Sequence, residues 1–232
     1  MPEGPEVARQ ADLIRESLGD QAAQVWFGLP RLKRFEERLS GQRVIQVRSR
    51  GKAFLIEFSG GLTIYAHLQL AGVWFVDPRG ELPETTRSLR LRLETPRGSA
   101  FLYSASEIAV LDRAALAEHA YLKKLGPDVL DLDLSQVALE ERLASARFKR
   151  SSLGGLYLRQ EFLAGLGNYL RTEILHQAKL HPDRLAGRLD SRERRALSKA
   201  TLALPAQSYR TGGVTNQPRR AARLRKAGLA PR

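Results

Sequence analysis

The sequence predicts an α+β protein of two domains, an N-terminal β-sandwich with flanking helices followed by a helical domain. Three observations carry this reading. Between residues 23 and 104 the chain falls into short runs rich in β-branched and aromatic residues. Beyond Asp133 the apolar residues recur at helical spacing, and between the two regions stands Lys123-Lys124 followed by Gly126-Pro127. A basic pair before a Gly-Pro break marks a helix C-terminus and a domain boundary. A chain of 232 residues is long enough for two modest domains, each with a core of its own.

The elements follow in order. Pro5 suits the first turn of a helix, where its missing N–H is not needed. Val7, Ala11, Ile14 and Leu18 then repeat on one stripe, so a helix is predicted over about 5–18, ended by Gly19. The runs VWFGL, RVIQVRS, KAFLIEF, LTIYAHL, GVWFV, LRLRLE and AFLYSA, punctuated by Gly, Pro and Ser, have the spacing of a sandwich or barrel-like sheet pair. Within them Ser88–Glu94 alternates apolar and basic, a strand with one buried face. A helix is predicted over about 113–124. In the second region Ser135 is an expected N-cap for a helix to Ala144, and further helices are predicted over Leu153–Leu158, Tyr169–Ala178 and Ser191–Leu204. From Pro205 to Arg232 there are seven basic and no acidic residues, with little periodicity, which predicts a tail disordered in isolation.

Charge narrows the partner. The 38 Lys+Arg against 25 Asp+Glu leave a net +13, which points to a polyanion. Residues 1–125 hold 18 basic and 15 acidic side chains, and residues 126–232 hold 20 and 10, so the second region should grip phosphates. No apolar run approaches a membrane span and no leader pattern opens the chain. The absence of cysteine excludes disulfides and cysteine-liganded metals, and the four histidines (67, 119, 176, 181) have no metal-ligand spacing with carboxylates. A cytoplasmic, nucleoid-associated monomer without metal or cofactor is expected.

The first six residues, MPEGPE, carry the chemistry. With Met1 removed, Pro2 presents a free secondary amine beside Glu3. Such an amine attacks a sugar aldehyde carbon to give an iminium, an electron sink for breaking neighbouring C–O bonds. An α-amine of pKa about 7.7–8.0 is roughly a tenth or more free base near neutrality, whereas a lysine of pKa about 10.4 is below roughly 0.1%. Met-Pro alone is an ordinary start, so the rest of the chain decides. Arg50-Gly51-Lys52 is a tight turn between two strands, where a lysine is ordinarily just solvated. His67-Leu68-Gln69-Leu70-Ala71-Gly72 ends one strand and turns into the next. Gly165-Leu166-Gly167-Asn168-Tyr169 fails as a dinucleotide fingerprint, since no third glycine or leading strand is present. It works as an anion cradle at a helix N-terminus, with Asn168 as the cap.

MPEGPE, QVWFGLP, SRGKA, LYSAS, the stretch LGGLYLRQEFLAGLGNYLRTEIL and SYRTGG together resemble the formamidopyrimidine-DNA glycosylase/endonuclease VIII family, from Met1 to roughly Gly213. The resemblance implies a bifunctional DNA glycosylase/abasic-site lyase of base excision repair, acting on double-stranded DNA with damaged bases or abasic sites held in a cleft between the domains. Leu153–Leu180 then becomes the helix–two-turns–helix element, and the domains become 1–125, 126–213 and a basic tail 214–232. The same resemblance makes Pro2 the nucleophile, Glu3 the acid at the glycosidic and sugar oxygens, and Lys52 the proton donor for β-elimination. Gln69 and Leu70, with Ala71 a poorer filler than an aromatic, plug the gap left by the flipped nucleotide. By the same resemblance Lys124 and Asn168 are the expected phosphate contacts. QVWFGLP, SRGKA and LYSAS sit nearer to endonuclease VIII than to the purine-specific branch, so oxidised pyrimidines are the expected lesions.

The family's four-cysteine zinc finger, whose arginine serves phosphate binding and δ-elimination, has no counterpart up to Arg232. A truncated product, a shortened natural form, or a finger on sequence outside these 232 residues each accounts for this. Weakened DNA affinity and strand scission are expected, with the Arg219/Arg220/Arg223/Arg225/Lys226 cluster as a partial substitute for phosphate contacts. The rival expectation is a DNA-binding remnant that has lost catalysis. A small-molecule tautomerase with an N-terminal proline base would have no use for the basic second region.

Overall fold

The computed structural model describes residues 2–78 and 80–230. The chain divides into two compact units, Pro2 with Val7–Lys123, and Glu3–Glu6 with Lys124 onward.

Helix α1 (Gly4–Leu18) starts one residue before the predicted Pro5. Its stripe of Val7, Ala11, Ile14 and Leu18 lies in the core of the first unit, and Gly19 ends it in the left-handed region (φ 52°). There follow β1 (Gln24–Phe27), α2 (Glu36–Leu39), β2 (Val44–Arg50), β3 (Ala53–Phe58), β4 (Thr63–His67), β5 (Val73–Asp77), β6 (Leu89–Thr95), β7 (Gly98–Tyr103), β8 (Glu107–Leu111) and α3 (Arg113–Ala117). The strands form two four-stranded antiparallel sheets, ordered β1-β6-β7-β5 and β2-β3-β4-β8. This is the expected sandwich. Period-2 alternation sends Phe54, Ile56, Ile64, Ala66 and Ile108 of the second sheet into one cluster with Phe27, Leu91, Leu93, Ala100 and Leu102 of the first.

The opposite face of the second sheet carries Ala53, Leu55 and Tyr65, covered by Leu116, Tyr121 and Leu122. That cover corrects the helix predicted over 113–124. Asp112 caps α3 by accepting from the Ala115 N–H, α3 ends at Ala117, and only a 3₁₀ turn follows at Leu122–Lys124. The chain leaves the helix to bring Tyr121 onto the sheet, where its ring meets Tyr65 and His67 edge-on.

The second unit contains α4 (Gln136–Ala144), α5 (Leu153–Leu156), α6 (Asn168–Ala178), α7 (Ser191–Thr211) and α8 (Pro218–Lys226). Ser135 caps α4 as predicted, accepting from the Ala138 N–H. Helix α5 stops short of the predicted Leu158, because the Leu158 and Arg159 N–H groups bond to carbonyls three residues back and tighten the turn. A capping box of Asp190 and Glu193 starts α7. Its predicted end at Leu204 is corrected to Thr211. Packing holds the turn beyond Pro205, where Ser208 is buried and bonded to the Tyr169 hydroxyl. The disorder predicted for 205–232 is overturned as well. Gln207 donates to the carbonyls of Val214 and Asn216, and Pro218 opens α8, anchored by the buried Ala221. Leu224, three residues on and on the same face, is half-buried, so the helix docks through a two-residue stripe too short to stand out in the sequence. Pro231 and Arg232 of that predicted tail lie outside the described residues. No helix among the described residues is long and apolar enough to cross a membrane.

Ile56 is fully buried between the sheets. Ile56→Ala is expected to cost about 2–5 kcal/mol, read as a lower urea midpoint with an unchanged slope.

Candidate active site

Glu3 is 3% exposed, and its carboxylate sits at the start of α6. One oxygen accepts from the Tyr169 N–H at 2.9 Å, and the other from Gly167 at 2.7 Å and Leu170 at 3.3 Å. These are the donors that a helix N-terminus leaves without an intrahelical partner, and its partial positive charge favours an anion there. Two glycines make the approach possible. A Cβ on Gly167 would lie 2.4 Å from Glu3 Oε1, and one on Gly4 would lie 2.9 Å from the Gly165 Cα. The Gly4 N–H donates to the Gly165 carbonyl at 2.7 Å.

Glu6 completes the arrangement. It accepts the Glu3 N–H at 2.9 Å, the N3-to-N-cap half of a capping box at the start of α1. Its other oxygen accepts from the Tyr169 hydroxyl at 2.5 Å, and Ser208 lies 2.8 Å from that hydroxyl. Burial, and then the bond to Glu6, push the Tyr169 pKa upward, so the phenol stays protonated and donating.

The predicted cap is therefore corrected. Gly167 holds the N-cap position, Asn168 is the first helical residue with an exposed side chain, and the anion facing the helix N–H groups is the Glu3 carboxylate. A phosphate at those same N–H groups would compete with Glu3. Asn168 and Lys124, both expected at phosphate, are exposed.

In the first unit Pro2 is half-buried, immediately before Glu3 in the chain. Lys52 occupies the expected turn between β2 and β3, after Gly51 in the left-handed region (φ 60°). Unlike an ordinary turn lysine it is 7% exposed, and its N–H donates to the Tyr121 hydroxyl at 3.1 Å. His67 ends β4 opposite Ala53 and is buried. Burial, assisted by Lys52 and opposed by Glu107, lowers its pKa, so the ring is held neutral. Its Nδ1 accepts the Gln69 N–H at 3.1 Å.

Gln69 and Leu70 form the exposed tip of the β4–β5 turn. Gln69 lies in the left-handed region (φ 51°) and Leu70 is 86% exposed. The Gly72 N–H closes the turn on the Leu68 carbonyl at 2.8 Å, and Arg87 holds the Ala71 carbonyl at 2.7 Å. Sequence reasoning missed Glu107, Tyr121 and the Glu6–Tyr169–Ser208 network, and it placed His67 only at a strand end without metal-ligand spacing. Only the Glu3/Glu6 spacing offered a local signal.

Comparison with known proteins bears directly on this geometry. Residues 1–110 match the family model of the formamidopyrimidine-DNA glycosylase N-terminal domain, and residues 125–219 match its H2TH domain. The chain is 49% identical over 218 residues to Endonuclease 8 of Pectobacterium carotovorum, covering 94% of this chain and 83% of that protein. It belongs to the formamidopyrimidine-DNA glycosylase/endonuclease VIII family. As a family member it is a DNA glycosylase and abasic-site lyase of base excision repair. Endonuclease 8 of Klebsiella pneumoniae is 46% identical over 93% of this chain and 82% of its own length. The fold matches that of a Lactococcus lactis Fpg in complex with abasic-site DNA, with a TM-score of 0.76 at 20% identity over 93% of this chain and 81% of that one.

Two outcomes are expected of this family member. Tyr169→Phe removes the hydroxyl bonded to Glu6 and Ser208 and should cost about 1.5–3 kcal/mol in urea unfolding. For His67, the unfolded imidazole takes up its proton near pH 6.5, whereas the folded one does so only at lower pH. In that interval the unfolded state binds more protons, so stability falls as pH drops below about 6.5. A pH series of unfolding midpoints should show a shallower acid slope in His67→Asn.

Proposed function

We propose that Pro2, freed by removal of Met1, is the nucleophile of the glycosylase/lyase reaction. The single observation that supports this most is the anchoring of the next residue. Glu3 is fixed by three backbone N–H donors while Pro2 itself stays half-buried, a terminus both held and open to approach. In this reading the damaged nucleotide swings out of the duplex and the Pro2 nitrogen bonds to C1′ as the glycosidic bond breaks, the base leaving with a proton. Ring opening gives a C1′ iminium. Loss of a C2′ proton then drives cleavage of the C3′–O bond, and water releases the sugar and restores the amine. A carboxyl and a lysine are different tools in such a sequence. Glu3 anchors the terminus and handles the ring-oxygen proton, and Lys52 supplies the proton for β-elimination.

Gln69 and Leu70 fill the gap left in the stack, and Lys124 and Asn168 contact phosphate. The partner is double-stranded DNA carrying damaged bases or abasic sites, in line with the strongly basic second region. Oxidised pyrimidines are the proposed lesions. The similarity to the Endonuclease 8 relatives supports placing the chain nearer that branch than the purine-specific one. No cofactor takes part in this scheme.

Borohydride reduction of the protein with abasic-site duplex tests the nucleophile. The expected result is a covalent adduct mapped to Pro2 in the Met1-free protein, strongly reduced in Pro2→Gly and absent when Met1 is retained. An adduct mapped to a lysine would overturn the assignment. Absence of any adduct alongside tight, salt-sensitive duplex binding would favour a DNA-binding remnant instead.

A further inference from the structure

We propose that Glu107 is a positioning residue that holds the Gln69-Leu70 turn ready for insertion into the duplex. The proposal rests on the reading that this turn fills the gap left by the flipped nucleotide, and it deepens that reading. Glu107 begins β8 directly opposite His67 at the end of β4, which places its carboxylate beside the turn. One carboxylate oxygen accepts from the Tyr65 hydroxyl at 2.8 Å, and Tyr65 is fully buried, so the acid is tied to the sheet. The other oxygen accepts from the side-chain amide of Gln69.

Gln69 is thus held at two points, its backbone N–H by His67 and its side chain by Glu107. Both bonds act on a residue in the left-handed region, a conformation that a residue other than glycine keeps only when its surroundings impose it. The result is an exposed leucine at the tip of a fixed turn, the reverse of what burial of apolar surface favours in the protein alone. A base-stack gap supplies the missing apolar contact, and a turn already ordered loses less conformational freedom on entering it. Gly72 belongs to the same device, since a Cβ there would lie 2.7 Å from the Leu68 carbonyl oxygen.

The test compares Glu107→Ala, Glu107→Gln, Tyr65→Phe and Leu70→Ala. The substrates are a duplex containing an oxidised pyrimidine and a single-stranded oligonucleotide with an abasic site, which has no stack to fill. Glu107→Ala should lower kcat/KM for base excision from the duplex by about tenfold or more, the factor for losing a hydrogen bond to a charged group. It should slow the rise in fluorescence of a 2-aminopurine placed next to the lesion by a similar factor, while borohydride trapping on the single strand changes far less. Glu107→Gln keeps an acceptor for Gln69 and should recover most of the loss. Tyr65→Phe, which frees the carboxylate from the sheet, should show a smaller loss of the same kind and serves if Glu107→Ala fails to fold. Wild-type duplex rates in both Glu107→Ala and Tyr65→Phe, with Leu70→Ala impaired, would overturn the proposal. Wild-type rates in Leu70→Ala would instead overturn the gap-filling reading beneath it. An equal loss on duplex and single strand would show that Glu107 acts on the chemistry rather than on the turn.

Discussion

The structure depends first on one carboxylate at one helix end. Glu3 is separated by more than 160 residues from Gly167, Tyr169 and Leu170, yet it supplies the acceptor that the first turn of α6 requires. An end of this kind presents N–H groups with no intrahelical partner and a partial positive charge, and burying it without an acceptor is costly. The surrounding residue choices follow. Gly167 and Gly165 admit the Glu3 side chain and the Gly4 backbone, and Glu6 turns back to the Glu3 N–H while holding the Tyr169 hydroxyl. The residue that bears the proposed nucleophile is therefore followed directly by one whose carboxylate is held by three backbone N–H donors.

A second polar cluster stands on the outer face of the β2-β3-β4-β8 sheet, and it is built by strand register. The pairing of Ala53 with His67, and of His67 with Glu107, lines up three strand ends, and Tyr121 drops across them to meet Lys52 and His67. The inner face of the same strands is wholly apolar. Alternation along β3, β4 and β8 thus separates an inner packing face from an outer one, where Tyr65, His67 and Glu107 stand beside Ala53 and Leu55. The neutral His67 on the outer face accepts a hydrogen bond that an imidazolium would be unable to accept.

Much of this was legible in the sequence. The sandwich shows in short β-rich runs because each strand needs only a few alternating residues, and the α1 stripe and Gly19 stop are local signals of the same kind. The turn at Lys52 and the turn that follows His67 were placed correctly for that reason. Other features depend on contacts distant in sequence. Nothing near Pro205 shows that Ser208 will be held by Tyr169, so the helix was ended too early. Nothing near Tyr121 shows the sheet it will cover, so one helix was expected where a helix and a 3₁₀ turn occur. Asn168 has the preferred chemistry for a cap, and it was displaced by a carboxylate from the opposite end of the chain.

The most direct measurement is amide hydrogen exchange at Tyr169 and Leu170, compared between the wild-type protein and Glu3→Ala. Amides in the first turn of a helix are ordinarily among the least protected. The account predicts strong protection of both in the wild type, and loss of about tenfold or more in the variant, with the α7 amides unchanged. Unprotected amides in the wild type, or equal protection in the two proteins, would contradict it.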